Sequence, residues 1–173
     1  VVEPGEWSKA LAALRVNEKK ATRHLDALAA ERRCLPMVRI RNDYLFEGAG
    51  GMCSLGDLFE ERRQLIIYHF MFPPEWEWPC PGCSRRMDDV GHLAHLHARQ
   101  TTFAAVARAE YGALERLKKR KGWTMPFYSA KGNAFNIDLG VLANCEDDFG
   151  LSVLFRDGDG DVYRSYFTTG RGV

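Results

Sequence analysis

Four consecutive residues, Cys80-Pro81-Gly82-Cys83, carry the strongest chemical signal in the sequence. Two thiols separated by two residues reach bonding distance at the start of a helix. One can then attack a disulfide as a thiolate while the other resolves the mixed disulfide. If Cys80 caps that helix, the unpaired backbone N–H groups and the positive end of the helix dipole favour its thiolate. Cys83 then lies one turn inside, more buried and harder to ionise. This asymmetry predicts Cys80 as the nucleophile and Cys83 as the resolving thiol. Pro81 suits the first turn, where its fixed φ and missing N–H cost little. Trp76 and Trp78, in the loop just before the pair, are expected to bind substrate together with Pro81. Glu75 and Glu77 would oppose a thiolate, and Arg85 and Arg86 would favour it. The order of residues leaves that balance open.

The same spacing serves as half of a zinc site. His92, His95 and His97 are the residues that would have to complete it. On one straight helix from Ser84 to Arg99, His92 would stand about 13 Å beyond Cys83. A metal needs every ligand within about 2.3 Å, so no metal and no cofactor are expected. Two inert, reduced thiols are the remaining alternative. His69, inside an apolar run, reads as a hydrogen-bonded core histidine, with a proton carrier facing the dithiol as the minor alternative. Cys34, Cys53 and Cys145 read as single buried or incidental thiols. Asp157-Gly158-Asp159-Gly160-Asp161 is too short for a calcium loop and lacks its terminal Glu, so a turn is expected. Lys118-Lys119-Arg120-Lys121 reads as a solvated helix end, where cations offset the dipole, rather than a nucleic-acid patch.

These residues must be held by elements that the hydrophobic pattern outlines. Leu65 to Phe72 is a continuous apolar run, suited to a strand buried on both faces, and Pro73-Pro74 stops it. A helix is expected from about Ser84 to Arg99 and a second buried strand from Thr101 to Ala107. Glu110 to Lys121 predicts a helix capped by Gly122. A short strand near Thr124 to Tyr128, interrupted by Pro126, and a hairpin of 151–155 with 162–167 complete the series. Strands alternating with helices imply an α/β mixed sheet with flanking helices. The dithiol falls where a buried strand hands over to a helix, the context in which CxxC reads as a thioredoxin-like site. Upstream, Val38–Ile40 and Tyr44–Phe46 read as short strands. Glu47 to Gly51 reads as a turn, and Ser54 to Phe59 as one helical turn.

The first 36 residues are of another kind. Trp7, Leu11, Leu14, Glu18, Ala21, Leu25, Leu28 and Arg32 form a heptad seam along one long helix, from about Trp7 to Arg33. Pro36 ends it. The seam suits either an arm packed on its own domain or pairing with a second subunit, a homo-oligomer. The expected division is 1–36, a helical arm, and 37–173, the domain with the dithiol.

Composition narrows the function classes. The 173 residues carry a net charge of +1, with 46% hydrophobic and 27% charged residues. That balance argues against a strongly basic nucleic-acid binder. No apolar run approaches the ~18 residues of a membrane span. Five cysteines is an odd number without the spacing of a secreted disulfide framework. The opening Val1-Val2-Glu3-Pro4-Gly5 is no signal-peptide pattern, and a cytoplasmic location is expected.

Several blocks together are similar to the thioredoxin-like bacterial proteins grouped as domain-of-unknown-function family 899. They are Gln64 to Phe72 with the tryptophan loop and Cys80-Pro81-Gly82-Cys83-Ser84, Met37-Val38-Arg39-Ile40, Thr101-Thr102-Phe103, Gly122-Trp123 and Phe135-Asn136. Arg156-Asp157-Gly158 and Thr169-Gly170-Arg171-Gly172 also fit. The resemblance implies a thioredoxin-like fold with an N-terminal helical extension and implies no reaction. Two departures from better-known thiol proteins stand out. Ordinary thioredoxins place a cis-proline before the strand facing the CxxC, whereas Asp147 to Ser152 contains no proline. Peroxiredoxin-like sites carry a Thr three residues before the reactive Cys, where this chain has Glu77. The leading expectation is a thiol–disulfide oxidoreductase with a thiol or disulfide substrate and a redox partner, without nucleic acid or membrane. The competing one is a non-catalytic thioredoxin-like binding or assembly module with reduced thiols.

Overall fold

Two stretches, 64–69 and 101–107, bury residues on both faces and become the centre of a sheet. A computed structural model describes residues 1–143 and 146–170. The chain divides into two compact units, Val1–Pro36 and Met37–Val173. The first holds one helix, α1 (Pro4–Arg33), with Pro4 at its first turn, Arg32 and Arg33 at its last, and no buried residue. In chain order the second contains β1 (Val38–Arg39), β2 (Leu45–Gly48), β3 (Gly51–Ser54), a 3-10 turn (Asp57–Phe59) and β4 (Gln64–His69). Then come α2 (Pro81–Asp88), α3 (Ala94–His97), β5 (Thr101–Ala107), α4 (Tyr111–Lys121), β6 (Phe127–Ser129) and α5 (Phe135–Asp138). Two bridging strands, β7 (Leu142–Ala143) and β8 (Glu146–Asp147), precede β9 (Gly150–Arg156) and β10 (Val162–Thr169).

Among the described residues the main sheet has eight strands, in the order β1-β10-β9-β4-β5-β6-β2-β3. Its centre is parallel: β4 pairs with β5 from Gln64↔Thr101 to His69↔Val106, and β5 pairs with β6. Strand β9 runs antiparallel on the other side of β4 and forms the expected hairpin with β10. Alternation along the two central strands builds two cores. Leu65, Ile67, Ala104 and Val106 pack with Phe59, Phe135 and Leu154. Tyr68, Phe103, Ala105 and Ala107 pack with Cys83, Met87, Leu114 and Phe127. Helices α2 and α4 therefore lie on the face opposite α5. Gly122 ends α4 at φ 70°, the left-handed cap that glycine accepts without strain.

Three expectations need correction. The helix from Ser84 to Arg99 is broken: α2 ends at Asp88 and α3 begins at Ala94. Gly91 lies in the break, and His92 Nδ1 accepts the Ala94 N–H at 3.2 Å, an interaction a continuous helix would not make. The straight-helix distance that separated the histidines from Cys83 therefore does not apply. Among the described residues no group of three His, Cys, Asp or Glu side chains gathers around a common point for a metal. Second, Glu47 to Gly51 is not one turn. Glu47 and Gly48 belong to β2, Gly51 opens β3 at φ 96°, and Gly48 pairs with Gly51 across a two-residue connection. Third, the apolar run leaves the sheet before Phe72. Phe70 N–H still reaches Val106 O at 2.8 Å, and the next residues swing out to carry the dithiol loop. Helix α5 has no counterpart in the expected elements.

Candidate active site

The end of β4 sets the dithiol in place through backbone bonds. Cys80 N–H donates to Met71 O at 3.0 Å, which ties the start of α2 to the chain leaving the central strand. Cys80 is the N-cap residue, Pro81 follows at the first turn, and Ser84 N–H closes the first helical bond onto Cys80 O at 3.0 Å. The far end of α2 is anchored as well. Asp88 accepts from Trp123 Nε1 at 2.8 Å and from Lys121 Nζ at 3.2 Å, joining α2 to the end of α4.

Cys80 is half-buried, whereas Cys83 is only 1% exposed, and both thiols are free. Burial among Tyr68, Phe70 and Met87 pushes the Cys83 thiol up to about 11. The Tyr68 hydroxyl and the Met71 backbone N–H favour its thiolate, and Cys80 opposes it. Burial also raises the Tyr68 phenol, which the bond to Cys83 reinforces. Tyr68 therefore stays protonated and is a donor beneath the resolving position. From the sequence, Tyr68 is only one residue of an apolar strand. The signal that could have found it is the alternation of β4, which puts residue 68 on the same face as Phe70.

Cys80 and Cys83 both line one cleft of about 430 Å³, together with Tyr68, Arg85, Arg86, Asp89 and Phe149. Phe149 comes from the segment before β9, the stretch that lacks a proline. The charge balance left open by the sequence is now readable. Glu75 pairs with Arg108 at 3.9 Å, and Glu77 lines a different groove beside Arg116 and Arg120. Neither glutamate lines the thiol cleft, while both arginines do.

The other residues expected at the site lie apart from that cleft. Trp78 and Pro81 line a second groove, of about 530 Å³, between α2 and α4. The Arg120 guanidinium sits 4.9 Å over the Trp78 ring. Trp76 is exposed and lines neither of these two spaces. His69 is on the opposite face of the sheet from the dithiol, so the proton-carrier alternative is wrong. Its Nδ1 lies 3.2 Å from Asn136 Oδ1 and its Nε2 lies 2.8 Å from Ser152 Oγ, both within the α5-side core. Cys34 is exposed and Cys53 half-buried, so neither is a buried thiol, and Cys145 lies outside the described residues. The aspartate-glycine loop closes on itself: Asp157 Oδ1 accepts the N–H groups of Asp159 and Asp161 at 3.1 and 2.9 Å. In the basic run, Lys119 pairs with Glu115 and Lys121 with Asp88.

Comparison with known proteins gives a family and a fold. A family model described as bacterial protein of unknown function (DUF899) matches residues 1–173. A comparison with curated proteins finds no match. Among solved structures, the bacterioferritin comigratory protein of Xanthomonas campestris, reported for its alkyl peroxide reduction activity, is similar at 15% identity. The alignment covers 76% of this chain and 87% of that one, with a TM-score of 0.55. BcpB from Mycobacterium tuberculosis is similar at 13% identity, over 78% and 85% of the two chains, with a TM-score of 0.55. The mitochondrial 2-Cys peroxiredoxin from Plasmodium falciparum is similar at 12% identity, over 76% and 80%, with a TM-score of 0.53. At such identities the likeness is one of fold, a thioredoxin-like mixed α/β sheet. No helix among the described residues is long and apolar enough to cross a membrane.

Proposed function

We propose that this chain, which belongs to the bacterial DUF899 family, is a thiol–disulfide oxidoreductase that works through Cys80 and Cys83. The observation carrying this reading is the pairing of a half-buried cysteine at a helix start with a buried one, both lining one cleft. In the reducing direction the Cys80 thiolate attacks one sulfur of a substrate RS–SR. A Cys80–S–S–R bond forms and RS⁻ leaves, taking a proton from solvent. Cys83 then gives up its proton and attacks the Cys80 sulfur. The Cys80–Cys83 disulfide forms and the second RS⁻ leaves. Two electrons pass from the protein dithiol to the substrate, and an external dithiol restores the protein. Glu77, where a peroxiredoxin-like site has Thr, makes a peroxidase the weaker assignment.

The test is the redox equilibrium of the pair. Titration against glutathione or dithiothreitol buffers should give a reversible Cys80–Cys83 disulfide with the fold retained. Its potential should fall between about −120 and −270 mV, the span of known CxxC oxidoreductases. A pair that oxidises only when the domain unfolds would remove the enzyme reading and leave a binding module with reduced thiols.

Tyr68 supplies a finer test. Its hydroxyl favours the Cys83 thiolate, and a hydrogen bond to a charged group is worth about 1.5–3 kcal/mol. Tyr68→Phe should therefore slow closure of the mixed disulfide by about tenfold or more at neutral pH and shift that step to higher pH. Alkylation of Cys80 should change far less. Equal slowing of both would mean that the ring acts on packing and not on the Cys83 proton.

A further inference from the structure

The cleft over the dithiol has a charge character that its surroundings on the sequence conceal. We propose that the disulfide handled here is a small molecule carrying carboxylates beside its sulfurs, an inference that rests on the oxidoreductase reading above. The cleft's 430 Å³ is small-ligand size, within the usual ~300–1,000 Å³ of such sites. Arg85 and Arg86 line it two and three residues past Cys83, on the one helix that also presents Cys80. Their planar guanidinium groups match a carboxylate with two parallel N–H bonds, a geometry a lysine does not offer.

Placement along α2 sets Arg85 and Arg86 against Asp89, the one acid lining the cleft among the described residues. Asp89 is the C-cap residue and Cys80 the N-cap. At 1.5 Å per residue, Arg85 stands about 7 Å along the axis from Cys80 and Asp89 about 13 Å. The arginine positions are thus nearer the helix start than Asp89, and the positive end of the helix dipole adds to them. The nearby glutamates are occupied elsewhere, Glu75 with Arg108 and Glu77 in another groove. Apolar walls from Tyr68 and Phe149 would receive the methylene and sulfur portion of such a ligand.

The experiment compares three small disulfides reacting with the reduced full-length chain: 3,3′-dithiodipropionate (anionic), bis(2-hydroxyethyl) disulfide (neutral) and cystamine (cationic). Each rate is divided by the rate of the same disulfide with dithiothreitol, which removes intrinsic reactivity. The anionic compound should exceed the neutral one by about tenfold at low salt, and the neutral should exceed the cationic. The preference should shrink toward unity at about 1 M salt, where the Debye length is about 3 Å. Arg85→Gln with Arg86→Gln should bring the anionic-to-neutral ratio down several-fold.

A second arm, alkylation by iodoacetate against iodoacetamide, needs no disulfide chemistry. Normalised to N-acetylcysteine, iodoacetate should be favoured in the wild type and lose that advantage in the double variant. Disulfides that react with no charge preference overturn the substrate class and leave the oxidoreductase reading intact. A charge preference in alkylation with no reaction toward any disulfide overturns the oxidoreductase reading, and the substrate class with it.

Discussion

Cys80→Ser should abolish disulfide exchange, and Cys83→Ser should accumulate a mixed disulfide on Cys80. The asymmetry follows from position. Cys80 caps α2 at the mouth of the cleft, while Cys83 is 1% exposed and surrounded by Tyr68, Phe70 and Met87. Burial pushes Cys83 up to about 11. A thiol ionising there is a thiolate only about once in 10⁴ molecules at pH 7, since each pKa unit is a factor of ten. With Cys80 absent, the remaining thiol is therefore both hidden and protonated, and turnover with dithiothreitol as reductant should fall by at least about 10³-fold. With Cys83 absent, attack on substrate proceeds but the second bond cannot form. Mass spectrometry after mixing with bis(2-hydroxyethyl) disulfide should then find the adduct on Cys80. Brief treatment of the reduced wild type with iodoacetamide should likewise label Cys80 before Cys83. Labelling of Cys83 first, or a trapped adduct on Cys83 in the Cys80→Ser protein, would reverse the two roles. Cys83→Ala controls for the buried hydroxyl that serine introduces: it should trap the same adduct.

How much of this was legible depends on how local each cause is. The central strands, α4 with its Gly122 cap and the β9–β10 hairpin follow from periods and turn residues within short windows, and the sequence predicts them. The dithiol at a helix start is legible for the same reason, because Pro81 beside Cys80 marks the first turn. The break after Asp88 is not, because Asp88 is drawn to Trp123 and Lys121, more than thirty residues downstream. Tyr68 beneath Cys83 was hidden by a different ambiguity. Alternation says that residues 66, 68 and 70 share a face of β4 but not which face receives α2. The opposition of Glu75 and Glu77 to Arg85 and Arg86 is visible in the sequence, but its outcome is not. Its resolution depends on Arg108, Arg116 and Arg120, which come from the region around β5 and α4. Helix α5 was missed because four residues carry too little periodicity to stand out, although Asn136 on it completes the environment of His69.

That environment should make stability depend on pH. His69 is 1% exposed at the end of β4, stacked on Phe135 with ring centroids 5.8 Å apart and bonded to Asn136 and Ser152. Asn136 Oδ1 only accepts, so Nδ1 carries the proton and Nε2 accepts from the Ser152 hydroxyl. A second proton on the ring would reverse that bond, with Ser152 Oγ accepting, and bury a charge. Burial, helped by Arg164, accordingly holds the imidazole down from its ordinary 6.5 to about 4, although the Asn136 bond pulls the other way. The sign follows directly. Between those two values the unfolded chain binds a proton that the folded chain does not, so unfolding becomes easier as pH falls. The stabilisation is complete above about pH 6.5 and is lost progressively as pH drops toward 4, a difference of roughly 3 kcal/mol. Urea unfolding of the reduced protein at pH 7, 5.5 and 4.5 should show most of that loss before carboxylates titrate in bulk. His69→Gln cannot take up the proton. It should be less stable at pH 7, through imperfect packing of a smaller side chain, yet nearly flat from pH 6.5 to 4.5. An acid-side loss of the same size in His69→Gln would assign the pH dependence to other groups and free the buried His–Asn–Ser network from it.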